Sequence, residues 1–241
     1  MSVINSEQFL NLIHDRHSTR SPFDKNHSID KQDLQKILDA GRWAPTAHNM
    51  QNYEVLVVDD KDLLESLSKI ESPISETFIK ENYQQLSFSE EKFLQKKVGL
   101  LGTMFPPSML KIPDEHITNK EMSPIGRFID SSSILLVVVY DPSRRAPASE
   151  GDFLGIMSLG CVMENMWLMA QSLGIDFHIV SSLSNQNVEK KVKELLNIPS
   201  KLKIAISFRL GYALSPLKNY QRVRRDIEDF THLNRYGTKL N

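Results

Sequence analysis

FLGIMSLGCVMENMWLMAQSL, residues 153–173, is apolar on nearly every side. A helix that is hydrophobic all round has no face to give to water, so it is buried inside a domain or against a partner subunit. Gly174 follows it as a natural C′ residue, free to take the left-handed conformation that ends a helix. On either side stand segments that read as strands. ILLVVVYD (134–141) is the clearest of them and is closed by Asp141-Pro142; DFHIVSS (176–182) and KIAISFRLGY (203–212) follow the helix. NVEKKVKELLNIP (187–199) reads as a helix, with Asn187 as N-cap, Val188, Val192, Leu195 and Leu196 inward, and Asn197 and Pro199 as stops.

Towards the N-terminus, QFLNLIHD carries Phe9, Leu10 and Ile13 at helical spacing. DKQDLQKILDAGR (30–42) puts Leu34, Ile37, Leu38 and Gly41 on one face, with Asp30 as N-cap and Pro45 beyond its end. YEVLVVD (53–59) reads as a buried strand turned at Asp59-Asp60, and residues 61–100 are polar and helical in character. Strands and helices are interspersed without a repeat or a Pro/Gly-rich linker, which predicts one α+β domain over 1–241. The stretch 102–126 is long for a loop, which suits either a lid or a loop stapled by its own apolar side chains. Met104, Phe105 and Met109 in it are candidates to face a ligand.

The chain has 241 residues, 40% apolar and 24% charged, with a net charge of −1. That balance gives no global attraction to nucleic acid or an anionic membrane surface. The longest unbroken apolar run, 134–140, is far too short to span a bilayer as a helix. MSVINSEQF has neither the basic nor the apolar part of a signal peptide, and one cysteine, Cys161, permits no intrachain disulfide. A soluble, cytoplasmic protein is the expectation. Cys161 lies in the most apolar helix and reads as a small buried side chain rather than a nucleophile. No G-x-G-x-x-G follows a strand, there is no phosphate-binding G-x-x-x-x-G-K-[ST] and no G-x-S-x-G elbow, and the seven histidines form no metal pattern. With those chemistries unwritten, a tightly held organic cofactor is the natural suspect.

RHSTR (16–20) sets two guanidiniums and two hydroxyls where a helix ends. It reads as a solvated basic helix terminus or as an anion site for a phosphate. RVRR (222–225) is a second cluster, about 200 residues on, in which Arg222 and Arg224 share a side if the segment is extended. It too has two readings, a phosphate-binding pair or a basic turn balanced by Asp226, Glu228 and Asp229.

The order of pieces resembles the nitroreductase family of flavin oxidoreductases from near Arg16 to near Gly237. RHSTRSPFD is followed by AGRWAPTAHNMQNYEVLVV, ILLVVVYD, MENMWLMAQSLGI, LLNIPSKLKIAISFRLGY and RVRRDIEDFTHLNRYG. The resemblance implies a mixed central β-sheet flanked by helices and an intertwined homodimer, with two FMN sites at the subunit interface and 153–173 in the dimer core. It implies that Arg16, His17 and Ser18 meet the FMN phosphate or its ribityl neighbour and that Arg20 lies by the pyrimidine edge. There a fixed cation favours the reduced flavin. Pro45, Thr46, Ala47 and Asn49 fall on a loop that the family places against the partner's flavin. Arg222 and Arg224 match the basic pair completing the phosphate site, in an extension (215–241) that packs on the partner subunit. Arg127 is aligned with a second polar contact to the ring, and Val180, Ser181 and Ser182 with the segment whose backbone amide meets flavin N5.

Three positions depart from the family pattern. Ser181-Ser182 stands where many relatives have Glu-Gly or Ile-Gly, Glu164 where they often have Gln, and Asn52 where Pro is usual. A carboxylate at 164 in an apolar helix needs a partner, which the sequence does not name. The activity implied is an FMN-dependent NAD(P)H oxidoreductase working by ping-pong exchange, with no catalytic side chain, since the flavin carries the chemistry. Its acceptor would be a small organic molecule such as a nitroaromatic or quinone. The alternatives are other flavin chemistry (dehalogenation, enoyl or imine reduction, flavin fragmentation) and a flavin-binding regulatory protein without turnover.

Overall fold

A computed structural model describes residues 5–71, 124–214 and 224–239. Residues 5–71 and 124–214 belong to one compact unit and 224–239 to a second. The first unit is built on four strands, β1 (Tyr53–Val58), β2 (Ile134–Tyr140), β3 (Asp176–Ile179) and β4 (Lys203–Gly211), in the order β1-β2-β4-β3. Every pairing among them is antiparallel, so of the mixed sheet expected, the described strands form the antiparallel part.

β2 is buried at all seven positions because helices cover both faces of the sheet. Its side chains alternate between two cores. Ile134, Leu136, Val138 and Tyr140 face α2 (Lys31–Arg42) and the long helix α5 (Phe153–Ser172), joining Ile37, Leu159, Val162, Met166, Trp167 and Ala170. Leu135, Val137 and Val139 face the other layer: Leu64 and Leu67 of α3 (Lys61–Ser68), Ile129 of α4 (Pro124–Asp130), and Val188 and Val192 of α6 (Gln186–Leu195). α2 and α5 approach closely. A Cβ at Gly41 would lie 2.4 Å from Met166 Cε, and the Asn165 amide donates to the Ala40 carbonyl at 3.0 Å. α5 is also long and apolar enough to cross a membrane by length and composition alone; here it packs on the sheet. Its first turns remain uncovered, with Phe153, Ile156 and Met157 exposed, as are Phe9 and Leu10 of α1 (Ser6–Asp15).

Several expected boundaries move. The strand read over 176–182 ends at Ile179, because Ser181–Ser184 close a 3₁₀ turn in which Ser184 Oγ donates to the Ser181 carbonyl at 2.9 Å. α6 begins two residues earlier than expected. Asn185 holds the N-cap place and its carbonyl receives the Val188 and Glu189 amides, so Asn187 lies inside the helix. Leu195, at seven residues from Val188, turns outward and is 37% exposed, whereas Val188 and Val192 stay inward. The last residues of the 102–126 stretch are helical, since α4 opens on Pro124, whose fixed φ suits a first turn. Met104, Phe105, Met109 and Arg222 lie outside the described residues.

In the second unit, a short helix (Ile227–Phe230) opens on a capping box between Asp226 and Asp229, and the Arg225 guanidinium lies 5.4 Å over the Phe230 ring.

Gly211 ends β4 under the Phe23 ring, where an added Cβ would come within 2.6–2.9 Å of Phe23. Phe23 is itself buried. The variant Gly211→Ala is therefore expected to lose about 1–3 kcal/mol of stability. Urea unfolding checks this as a lower midpoint at an unchanged slope.

Candidate functional site

α1 starts at Asn5, whose side chain accepts from the Glu7 and Gln8 amides, and stops at Arg16. From there 16–23 runs across α5 and along the edge of the sheet. The Arg16 guanidinium lies 4.4 Å over the Trp167 ring and 3.2 Å from Glu164 Oε1, which supplies the partner Glu164 needs. Trp167 Nε1 donates to the His17 carbonyl at 3.1 Å. Thr19 is buried against β3: its amide donates to the Phe177 carbonyl at 2.9 Å and its hydroxyl to Asp176 Oδ1 at 2.7 Å. Because β3 is the edge strand, these bonds close an edge that would otherwise present open backbone groups. Asp176 also accepts from the Ala213 amide, and Phe23 bridges to Ala213.

Beneath this segment lies Arg209, fully buried in β4. Its Nη2 donates to the Thr19 carbonyl at 2.9 Å and the Ser21 carbonyl at 2.5 Å. Nη1 donates to the Phe128 carbonyl and Ser131 Oγ, and Nε to His178 Nδ1 at 2.8 Å. The guanidinium lies between the Phe23 and Phe128 rings, at 3.9 and 4.6 Å. Burial pushes its pKa down to about 9, opposed by the Asp176 carboxylate, so it stays protonated at neutral pH. His178 must accept from Arg209, whose nitrogens only donate, so its Nδ1 is bare. Burial first, then the charges of Arg209 and Arg20, hold His178 well below the usual histidine value. Sequence reasoning missed Arg209 and His178. The available signal was an arginine inside the apolar strand KIAISFRLGY, since a buried charge demands several partners.

The polar atoms above this base are arranged for a ligand. His17 Nε2, Ser18 Oγ and Ser21 Oγ are buried and make no hydrogen bond in the structure. Buried polar groups are nearly always satisfied, so three such atoms in five residues mark a place where another molecule supplies partners. His17 Nδ1 donates to the Asp15 carbonyl at 2.7 Å, which in the neutral ring leaves Nε2 as an acceptor. The two hydroxyls can donate. With Arg16 and the half-buried Arg20 flanking them, the donor set fits a phosphate and an adjoining hydroxyl group.

The remaining sequence-predicted residues fall elsewhere on the same unit. Thr46, Ala47 and Asn49 follow Pro45 in a tight turn, where the Ala47 amide donates to Ser158 Oγ of α5 at 3.0 Å. Ser158 precedes Glu164 by six residues, about 9 Å along a helix, so 16–17 and 47 meet α5 at separate places. His48, Asn49 and Gln51 all have positive φ (51°, 54° and 44°), a concentration of left-handed backbone that non-glycine residues adopt at some cost. Val180 continues from β3 with its amide on the Ser207 carbonyl. Ser181 is exposed, and Ser182 Oγ is buried without a hydrogen bond. Arg127 belongs to α4, and Arg224 is exposed in the second unit. Among the described residues no group of three His, Cys, Asp or Glu is placed to hold a metal ion.

The sequence model of the Nitroreductase family matches residues 13–212, which takes in every candidate above except Arg222 and Arg224. An NADPH-dependent oxidoreductase of Staphylococcus aureus (strain USA300) is 21% identical over 231 residues, 96% of this chain and 75% of that protein. An oxygen-insensitive NADPH nitroreductase of Helicobacter acinonychis is 32% identical over 63 residues, 26% of this chain and 30% of that protein. Among solved structures, a nitroreductase with bound FMN from Bacteroides fragilis superposes with a TM-score of 0.60 at 21% identity, covering 95% of this chain and 100% of that one. An FMN-dependent nitroreductase from Clostridium difficile gives 0.59 at 19% identity, covering 94% and 99%. These structures share the α+β fold.

His178 ties stability to pH. In the unfolded chain it takes up a proton as pH falls below 6.5, whereas the buried ring, with its depressed pKa, does not. The unfolded state then binds more protons, so stability falls as pH drops below 6.5, by at most about 1.4 kcal/mol per pH unit for one group. Urea unfolding at pH 7 and pH 5 is expected to show this loss, and the variant His178→Gln to show a smaller one.

Proposed function

We propose that this chain, which belongs to the nitroreductase family, is an FMN-dependent NAD(P)H oxidoreductase. The observation that carries the reading is the trio of buried, unsatisfied atoms on His17, Ser18 and Ser21, in the same short segment as Arg16 and Arg20. Arg16 and Ser18 would hold the phosphate, the latter by donating its hydroxyl hydrogen. His17 Nε2 would accept from a ribityl hydroxyl. Arg20 would present its charge to the pyrimidine edge, where a cation favours the reduced ring. Val180, Ser181 and Ser182 would line the same site, with a backbone amide, which any side chain leaves in place, available to N5. FMN held there would supply two-electron chemistry, with NAD(P)H as hydride donor and a small organic molecule such as a nitroaromatic or quinone as acceptor in a ping-pong exchange. The protein's part is to bind, orient and tune; no side chain need act as nucleophile.

The reading includes a homodimer of single-domain subunits in the cytoplasm, in which the 45–49 loop and the 215–241 extension, with Arg222 and Arg224, complete the partner's site. The exposed apolar side chains Phe9, Leu10, Phe153, Ile156 and Met157 support it, since one subunit leaves them facing water. The test starts from the visible spectrum of the purified protein. A flavin band that bleaches on anaerobic addition of NAD(P)H is expected; a colourless protein that takes up no added FMN would refute the proposal. Changing Arg16 or Arg224 to Ala is expected to weaken FMN binding about tenfold or more and riboflavin binding much less. Equal losses for both ligands would remove these arginines from the phosphate site. Light scattering at low micromolar concentration is expected to give the mass of a dimer.

A further inference from the structure

We infer that Arg209 is a positioning residue for the anion-binding segment, fixing the backbone on both sides of Arg20 so that the 16–21 donors are set before a ligand arrives. The inference rests on the FMN reading above and goes beyond it, because Arg209 is fully buried and its five hydrogen bonds all go to protein groups. One nitrogen, Nη2, donates to the carbonyls of Thr19 and Ser21, the residues immediately before and after Arg20. The rest of the guanidinium is anchored in the interior of the unit, to the Phe128 carbonyl within α4, to Ser131 just after it and to His178 of β3. A planar fork with five donors in fixed directions can tie three chain segments together at once; an ammonium cannot.

None of the five acceptors is a carboxylate. Arg209 donates to two backbone carbonyls of the segment, to the Phe128 carbonyl in α4 and the Ser131 hydroxyl just after it, and to a bare imidazole nitrogen. Its placement is therefore what a clamp on the 19–21 backbone requires, and what a simple buried ion pair does not. Thr19 adds a second hold on the same stretch through the Phe177 carbonyl and Asp176. Ser18 and Ser21, whose hydroxyls are unsatisfied, lie on or next to the clamped residues. Preorganisation of this kind raises affinity by removing the ordering cost from the binding step.

The test is a double-mutant cycle on FMN affinity in the full chain, using Arg209→Met and Arg20→Ala. Methionine keeps an unbranched apolar stem between the Phe23 and Phe128 rings, and replacing a buried charge by an apolar group of similar shape is often tolerated. R209M alone is expected to weaken FMN binding about tenfold, the scale of one lost charge-assisted hydrogen bond. R209K is expected to recover part of that loss. In the R20A background R209M is expected to cost about threefold or less, because the clamp acts chiefly through Arg20, the residue its two carbonyls bracket. Losses that multiply independently, or an R209M protein that binds FMN as the wild type does, overturn the inference. If R209M does not fold, the same cycle with R209K decides by the same criterion. A wild-type protein that binds no FMN refutes the functional reading and this inference with it, whereas wild-type binding with an additive cycle refutes only the clamp.

Discussion

The buried guanidinium of Arg209 is the constraint on which the arrangement of the first unit turns. An arginine cannot be left in an apolar interior unless its donors are met, and here they are met by three segments far apart in the chain. Once β4 places Arg209 between two aromatic rings, the path of residues 19–23, the turn after α4 and the orientation of His178 follow together. The depressed pKa of His178 is part of the same logic, since a protonated imidazole could not accept from Arg209 Nε. A single side chain thus joins the sheet, the helix layer on one face and the N-terminal segment.

The other face is organised by α5, which serves as a platform. Trp167 supports the Arg16 guanidinium and holds the His17 carbonyl, Glu164 pairs with Arg16, and two turns earlier Ser158 receives the Ala47 amide. Glu164, a departure from the family's usual Gln, is here answered by a cation whose position it helps to fix. The turn at 46–51 sits on the same helix with three left-handed non-glycine residues in it, held by the Ala47 bond to Ser158 of α5 and by hydrogen bonds within the turn to Thr46, Ala47 and Asn49.

The layered architecture was legible in the sequence because the hydrophobic pattern carries it. ILLVVVY stood out as the clearest strand, and the all-round apolar 153–173 had to be covered within the domain or by a partner; the structure packs its later turns on the sheet and leaves Phe153, Ile156 and Met157 exposed. RHSTR read from residue type as either a basic helix end or an anion site, and only the family resemblance favoured the second. What pattern could not give was the support behind it. Arg209 contacts residues 188 and 190 positions away, and no local rule reads such pairs. Ser181–Ser184 and Asn185 were misjudged for a related reason: serines and asparagines serve strand ends, caps and turns alike, and the choice among these is made by which carbonyl lies within reach.

That separation has a consequence for biosynthesis. A chain elongating at roughly 5–20 residues per second spends about 10–40 s between making Thr19 and making Arg209. For most of that interval the 16–21 segment has no β3 to pair with, and for all of it no guanidinium to hold it. A segment made about 190 residues earlier is therefore fixed only when β4 arrives, and its arginines and hydroxyls stay solvated until then.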